Sequence, residues 1–355
     1  MEAYGGQPIT VVQVRAKNFL LDVSGSFKLI LLSSLLSLCV LSCASQPSRQ
    51  WVDPSPHRVR RILVSPGTHL EVLDWGGRGQ PLVFLAGYGN SAHVFDDFAP
   101  AFRDRFHVIG ITRRGFGTSS LATSAYDNES LARDVIAVLD SLRLVRPILV
   151  GHSFAGAELN TIAVHHPSLA RALVYLDAGF DFAELYADTA WLKTPFPRVP
   201  TPPGDDDSPR ARTAYAVEGT GPGYPEAEVR SNSAWQREVA RTPSFHADSL
   251  AAWLMRGTPP ATLRDIRLPT LAVYGVPATV EQKYPWYARL SAAGRAQAER
   301  RFTVETPRLA RQRSRFRNEV ANARIVEIAG GRHYVFLTHP SDVARAIREF
   351  AGGLQ

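Results

Sequence analysis

Cysteine is almost absent from this chain. Of 355 residues only Cys39 and Cys43 carry sulfhydryls, and both fall in an N-terminal apolar stretch. Everything beyond position 43 therefore lacks thiolate metal ligands, disulfides and a thiol nucleophile, which excludes zinc-finger, iron–sulfur and cysteine-hydrolase chemistry. Lysine is scarce as well. Lys17, Lys28, Lys193 and Lys283 are the only lysines among 40 basic residues, so the net charge of +7 is an arginine charge. Such a bias reflects genome composition as readily as function, and hints no further than contact with anionic surfaces. No basic stretch interleaved with aromatics is present, so no nucleic-acid partner is expected. With 45% hydrophobic and 21% charged residues, the chain has ample material for a large core, which excludes a disordered protein.

A long hydrophobic run is also missing. The longest, Leu29–Leu41, has thirteen residues, short of the roughly 20 that cross a bilayer. Behind Lys28 it has the form of a signal-peptide apolar region, and export to a bacterial periplasm or membrane surface is expected. Val40-Leu41-Ser42-Cys43 resembles a bacterial lipobox, which implies anchoring through a lipidated Cys43. Leu41 is larger than that pattern favours, which leaves ordinary secretion as the alternative. The stretch before Lys28 is long for such a leader and points to translation starting nearer Val23.

From about Arg60 the chain alternates strand and helix patterns, as a mostly parallel sheet requires. Ile62–Val64 and His69–Asp74 read as an opening hairpin. Pro81–Leu85, His107–Ile111 and Pro147–Val150 are continuous apolar runs, the mark of strands covered on both faces. Arg171–Leu176, Leu271–Val276 and Arg324–Ile328 read as the remaining strands. Helical spacing occupies Asp127–Leu142, Phe154–His166 and Ser341–Phe350. Residues 1–43 form the leader, 44–59 a linker, and 60–182 with 267–355 an α/β core. The proline- and tryptophan-rich stretch 183–266, with its Asp205-Asp206-Asp207 tract, reads as an inserted lid. Residues 277–323 carry nine arginines, read as a solvated helix face.

Chemistry concentrates at Gly151-His152-Ser153-Phe154-Ala155-Gly156, on the junction of a buried strand and a helix. A serine on so sharp a turn needs small neighbours two positions away on each side, and Gly151 and Ala155 supply them. The pattern alone is weak, since a serine capping a helix would look the same; its single occurrence at this junction gives it weight. A serine hydroxyl needs a base within reach. Of ten histidines, His333 follows the last core strand and a Gly-Gly turn, which brings it to the same sheet edge. His152 is expected to point elsewhere, and His165, His166 and His339 to lie on helices or their caps.

These segments resemble the α/β-hydrolase superfamily, from about Arg60 to the C-terminus. Leu85–His93 is similar to its His-Gly loop, with Ala86 where histidine is usual. Thr112–Ser119 is similar to its Asp-x-Arg-Gly-x-Gly-x-Ser segment, with Thr112 where aspartate is common. The resemblance implies an α/β-hydrolase fold with a helical lid after strand six. It further implies a Ser153, acid, His333 triad and an oxyanion hole made by the backbone N–H groups of Tyr88 and Phe154. The acid expected is Asp177, at the C-terminal end of the sixth strand, with Asp181 and Glu281, the first carboxylate after the seventh, as the alternatives. The expected activity is hydrolysis of an ester or related acyl bond in a small molecule, with no cofactor or metal required. The alternatives are a cofactor-free perhydrolase, a carbon–carbon hydrolase or lyase, or a non-catalytic binding lipoprotein.

Overall fold

The computed structural model describes residues 51–187, 193–200 and 208–354. The leader, Cys43, Trp191 and the Asp205-Asp206-Asp207 tract lie outside these. The described residues from Ser55 onward belong to one compact unit.

Eight strands form one sheet, in the order β1-β2-β4-β3-β5-β6-β7-β8. They are β1 (Arg58–Ser65), β2 (Thr68–Gly76), β3 (Gln80–Leu85), β4 (Phe106–Ile111), β5 (Ile148–His152), β6 (Ala172–Leu176), β7 (Thr270–Val276) and β8 (Ala323–Ala329). β1 and β2 are antiparallel to their neighbours, and every later pairing is parallel. The opening hairpin is longer than its apolar residues suggest, because the exposed arginines of β1 pair with β2 without contributing to the core.

Ten α-helices are described: α1 (Asn128–Ser141), α2 (Ala155–His165), α3 (Phe182–Ala187), α4 (Pro209–Thr220), α5 (Glu226–Arg241), α6 (Ala247–Arg256), α7 (Val280–Lys283), α8 (Ala292–Glu319), α9 (Val335–Thr338) and α10 (Pro340–Gly352). Asp127 caps α1, accepting from the Ser130 N–H at 2.9 Å, an arrangement that contributes about 1 kcal/mol. Alternate residues of the central strands face opposite ways. Val83, Leu149 and Leu173 pack with α1 and α2 on one face, while Leu82, Val150 and Val273 pack with Val343 and Ile347 of α10 on the other. Both faces are thus covered, as the unbroken apolar strands require. α3 to α6 occupy the chain between β6 and β7. Among the described residues no helix is long and apolar enough to cross a membrane.

The arginine-rich stretch departs from a solvated face. It holds α8, which runs through Pro307 for 28 residues. Arg301 is 1% exposed, lies 3.7 Å over the Phe196 ring and pairs with Glu305. Arg315 reaches Asp181 at 2.7 Å. These guanidiniums are held by carboxylates and by an aromatic face, so the helix is a packing element.

Candidate active site

Ser153, Asp177 and His333 meet at the C-terminal ends of the parallel strands. Ser153 follows β5 directly, with a left-handed φ of +52°, and its N–H bonds the Leu176 carbonyl of β6 at 3.2 Å. A non-glycine residue there is strained by about 1–3 kcal/mol. The strain lifts the hydroxyl out of the strand and onto the sheet edge. Gly151 is needed beneath the turn, since a Cβ would sit 2.9 Å from Leu159 Cδ1. Asp177 repeats the device one strand over: its φ is +44°, and its N–H bonds the Val273 carbonyl at 2.8 Å.

His333 reaches the pair from β8, across β7. The crossing depends on two glycines, because a Cβ on Gly275 would lie 2.6 Å from the Gly331 carbonyl carbon and 2.5 Å from the Arg332 oxygen. His333 Nδ1 lies 2.7 Å from Asp177 Oδ2, and Nε2 lies 2.9 Å from Ser153 Oγ. An ionised carboxylate can only accept. Nδ1 therefore carries the proton and Nε2 faces the hydroxyl as an acceptor. Such an arrangement can take a proton from Ser153 and hold the resulting imidazolium beside Asp177.

The other two acid candidates are elsewhere. Asp181 accepts from the Glu184 N–H at 3.1 Å and from Arg315 at 2.7 Å. Glu281 sits in the exposed first turn of α7. His152 does not point away. Its ring centroid is 4.7 Å from that of His333, and its Nε2–H donates to the His333 carbonyl at 3.1 Å. Burial holds the His152 pKa far below the ordinary histidine value, so the ring stays neutral.

The loop after β3 lies against Ser153: a Cβ on Gly87 would come within 3.1 Å of Ser153 Cβ. Phe154 caps α2, so the loop and the helix start flank Ser153. Two buried charged groups, neither singled out by the sequence, bind this loop. Arg113 pairs with Glu158 of α2 and donates to the carbonyls of Ala86 (2.8 Å) and Gly87 (3.3 Å). Glu228 of α5 accepts from the Ser91 N–H at 3.0 Å, the Ser91 hydroxyl, Asn90 Nδ2 at 3.1 Å and Asn232 Nδ2 at 3.2 Å. Burial pushes the Glu228 carboxyl up to about 7 against those donors. Only the Arg113-Arg114-Gly115 segment gave any signal in the sequence; Glu228 reads there as one polar position on an amphipathic helix. Thr112, where aspartate is common, has a partner for its hydroxyl: Glu71 Oε2 on neighbouring β2 accepts from it at 2.8 Å.

Residues 82–346 match the model of the alpha/beta hydrolase family. Among curated proteins the chain is similar to the non-heme chloroperoxidase of Streptomyces lividans, 35% identical over 100 residues, 28% of this chain and 36% of that one. It is similar also to epoxide hydrolase A of Mycobacterium tuberculosis, 29% identical over 231 residues, 63% of this chain and 66% of that one. The chain spans between about a quarter and two thirds of the length of curated relatives it matches. The crystal structure of E-2-(acetamidomethylene)succinate hydrolase superposes with a TM-score of 0.56 at 23% identity, over 84% of this chain and 100% of that one, a likeness of fold. With the family model covering most of its length, the chain belongs to the alpha/beta hydrolase family.

Proposed function

We propose that the protein is a serine hydrolase of esters or related acyl compounds. The observation that carries this reading is the bonded line from Ser153 Oγ through the His333 imidazole to Asp177. Ser153 Oγ attacks the acyl carbon while His333 Nε2 takes its proton. The tetrahedral oxyanion turns toward the N–H groups of Tyr88 and Phe154, each worth roughly 3–4 kcal/mol if removed. His333 then returns the proton to the leaving alcohol, and a water molecule, deprotonated by the same imidazole, cleaves the acyl-enzyme to acid and free serine.

A serine at the elbow argues against epoxide opening. That reaction, run through an alkyl-enzyme ester, needs a carboxylate nucleophile at this position. A second reading, peracid formation, is favoured by the chloroperoxidase relative: hydrogen peroxide replaces water in resolving the same acyl-enzyme. The helices α3 to α6 act in this reading as a lid whose aromatics shape an apolar acyl site. The N-terminal apolar run serves as an export signal, with Cys43 as its anchor if lipidated.

A fluorophosphonate probe together with a panel of p-nitrophenyl esters tests the assignment. Labelling abolished by Ser153→Ala, with turnover of at least one ester, is the expected result. An unlabelled, folded wild-type protein would sink it and leave a binding protein. Acyl transfer to peroxide outpacing hydrolysis would favour the second reading.

A further inference from the structure

We propose that Arg113 is a positioning residue of the oxyanion hole, setting the direction of the Tyr88 N–H by gripping the carbonyl on the other side of the same peptide. The inference rests on the serine-hydrolase reading and adds to it the part that aims the loop donor.

In a trans peptide the C=O and N–H point in opposite directions along a rigid plane, and no cis bond occurs among the described residues. The Gly87 carbonyl and the Tyr88 N–H belong to one such plane. Whatever holds that carbonyl therefore aims that N–H. Two donors hold it: Arg113 Nη1 at 3.3 Å and the Asn90 N–H at 3.3 Å. Arg113 Nη2 fixes the preceding plane as well, through the Ala86 carbonyl at 2.8 Å. With both carbonyls drawn toward the guanidinium, the Tyr88 N–H is turned away from it. Gly87 meanwhile keeps the backbone against Ser153.

Arg113 is itself held on every side. It is 6% exposed, its Nε donates to Glu158, and its guanidinium lies 5.2 Å from the Phe154 ring and 5.9 Å from the Phe116 ring. Glu158 stands in the first turn of the helix that Phe154 caps. The Arg113–Glu158 pair thus links the two donors, gripping the loop that carries Tyr88 and packing on the residue that supplies the other N–H. Only a planar fork can serve two carbonyls and a carboxylate at once. A lysine ammonium keeps the charge and loses the geometry.

The test is kinetic, on full-length protein first shown to label with the fluorophosphonate. Arg113→Lys is expected to lower kcat for p-nitrophenyl acetate about 10- to 100-fold, less than outright loss of a donor, with KM within about twofold. The inhibition constant of a trifluoromethyl ketone, whose hemiketal oxygen occupies the oxyanion position, should rise by a similar factor. Because a lone Glu158 in the core threatens folding, the double variant Arg113→Met with Glu158→Gln removes both charges. Near-native melting with kcat still depressed supports the proposal. Native kcat in either folded variant overturns it, as does recovery of kcat in step with melting temperature. An unlabelled wild type would bring down the hydrolase reading and the proposal together, whereas a labelled wild type with fully active variants removes the proposal alone.

Discussion

His152 donates its Nε2–H to the main-chain carbonyl of His333, so the residue just before Ser153 holds the backbone of His333. The two rings lie with centroids 4.7 Å apart, and burial keeps His152 neutral. In the proposed reaction a charged ring there would repel the imidazolium that forms on His333. A neutral one supports the loop without opposing proton transfer.

Replacing His152 by alanine leaves the His333 carbonyl without this donor and opens space beside the imidazole. Loss of a buried hydrogen bond is worth about 1 kcal/mol or more. The expected outcome is a kcat lower by about 10-fold with KM nearly unchanged, read on any ester the enzyme turns over. His152→Gln, which restores a donor of similar reach, should recover part of the loss. A His152→Ala protein with native kcat would mean that the His333 loop is held by its glycine crossing of β7 alone.

Asp177 fixes which nitrogen of His333 carries the proton, so Asp177→Asn should act on kcat and hardly on binding. An asparagine can donate to Nδ1 and stabilise the wrong tautomer, an effect of about 10⁴-fold in kcat where the same substitution is known in serine proteases. A drop of at least 10³-fold is expected. Glu281→Gln, exposed on α7, should leave kcat within about twofold. The reverse pattern, measured in parallel, would reassign the acid.

The meeting of Ser153, His333 and Asp177 was legible because chemistry restricts where such residues can sit. A serine nucleophile needs a strand-to-helix turn with small neighbours, and a base must return to the same sheet edge from a later strand. Both conditions leave traces in the order of residues. Asp177 could be preferred only for its place at a strand's end, since nothing in the sequence excludes Asp181 four residues on. What does separate them is Arg315, which holds Asp181 from 134 positions away. Glu228 and its contacts to the 90–91 loop were invisible for the same reason: a buried carboxylate satisfied by donors about 137 positions distant looks locally like any polar residue on a helix. The path of α8 through Pro307 was hidden by the ordinary rule that proline ends a helix, which packing against Phe196, Lys283 and Asp181 overrides here.

Glu228 predicts a specific pH dependence of stability. Its carboxyl is raised to about 7 in the folded protein, first by burial, against an ordinary value of 4.5. The groups facing it are Ser91, Asn90, Asn232, His93, Tyr224 and Tyr334, and the hydrogen bonds from Ser91 and Asn90 oppose the rise. A raised carboxyl binds its proton more tightly folded than unfolded. Its contribution is therefore present below about 4.5 and is lost as pH climbs through 7. The loss is about 3 kcal/mol at most. Glu228→Gln cannot ionise. Its denaturation midpoint relative to wild type should rise between pH 5 and pH 8, and an unchanged difference across that range would show that the carboxyl is not raised.

Trp235 of α5 ties the inserted helices to the rim of the site. Its Nε1–H donates to the Gly115 carbonyl at 2.7 Å, and its ring stacks on Phe116, which meets Tyr88 edge-on. If this aromatic row walls an acyl site, removing its outer member should weaken long acyl chains and spare short ones. Trp235→Ala is expected to lower kcat/KM for p-nitrophenyl octanoate about 10-fold, in keeping with the roughly 1–2 kcal/mol carried by an aromatic contact and its buried area. Turnover of the acetate ester should stay within about twofold. Equal losses on both esters would mean that Trp235 secures the Phe116 turn and hence the oxyanion loop, and that the acyl chain lies against some other surface.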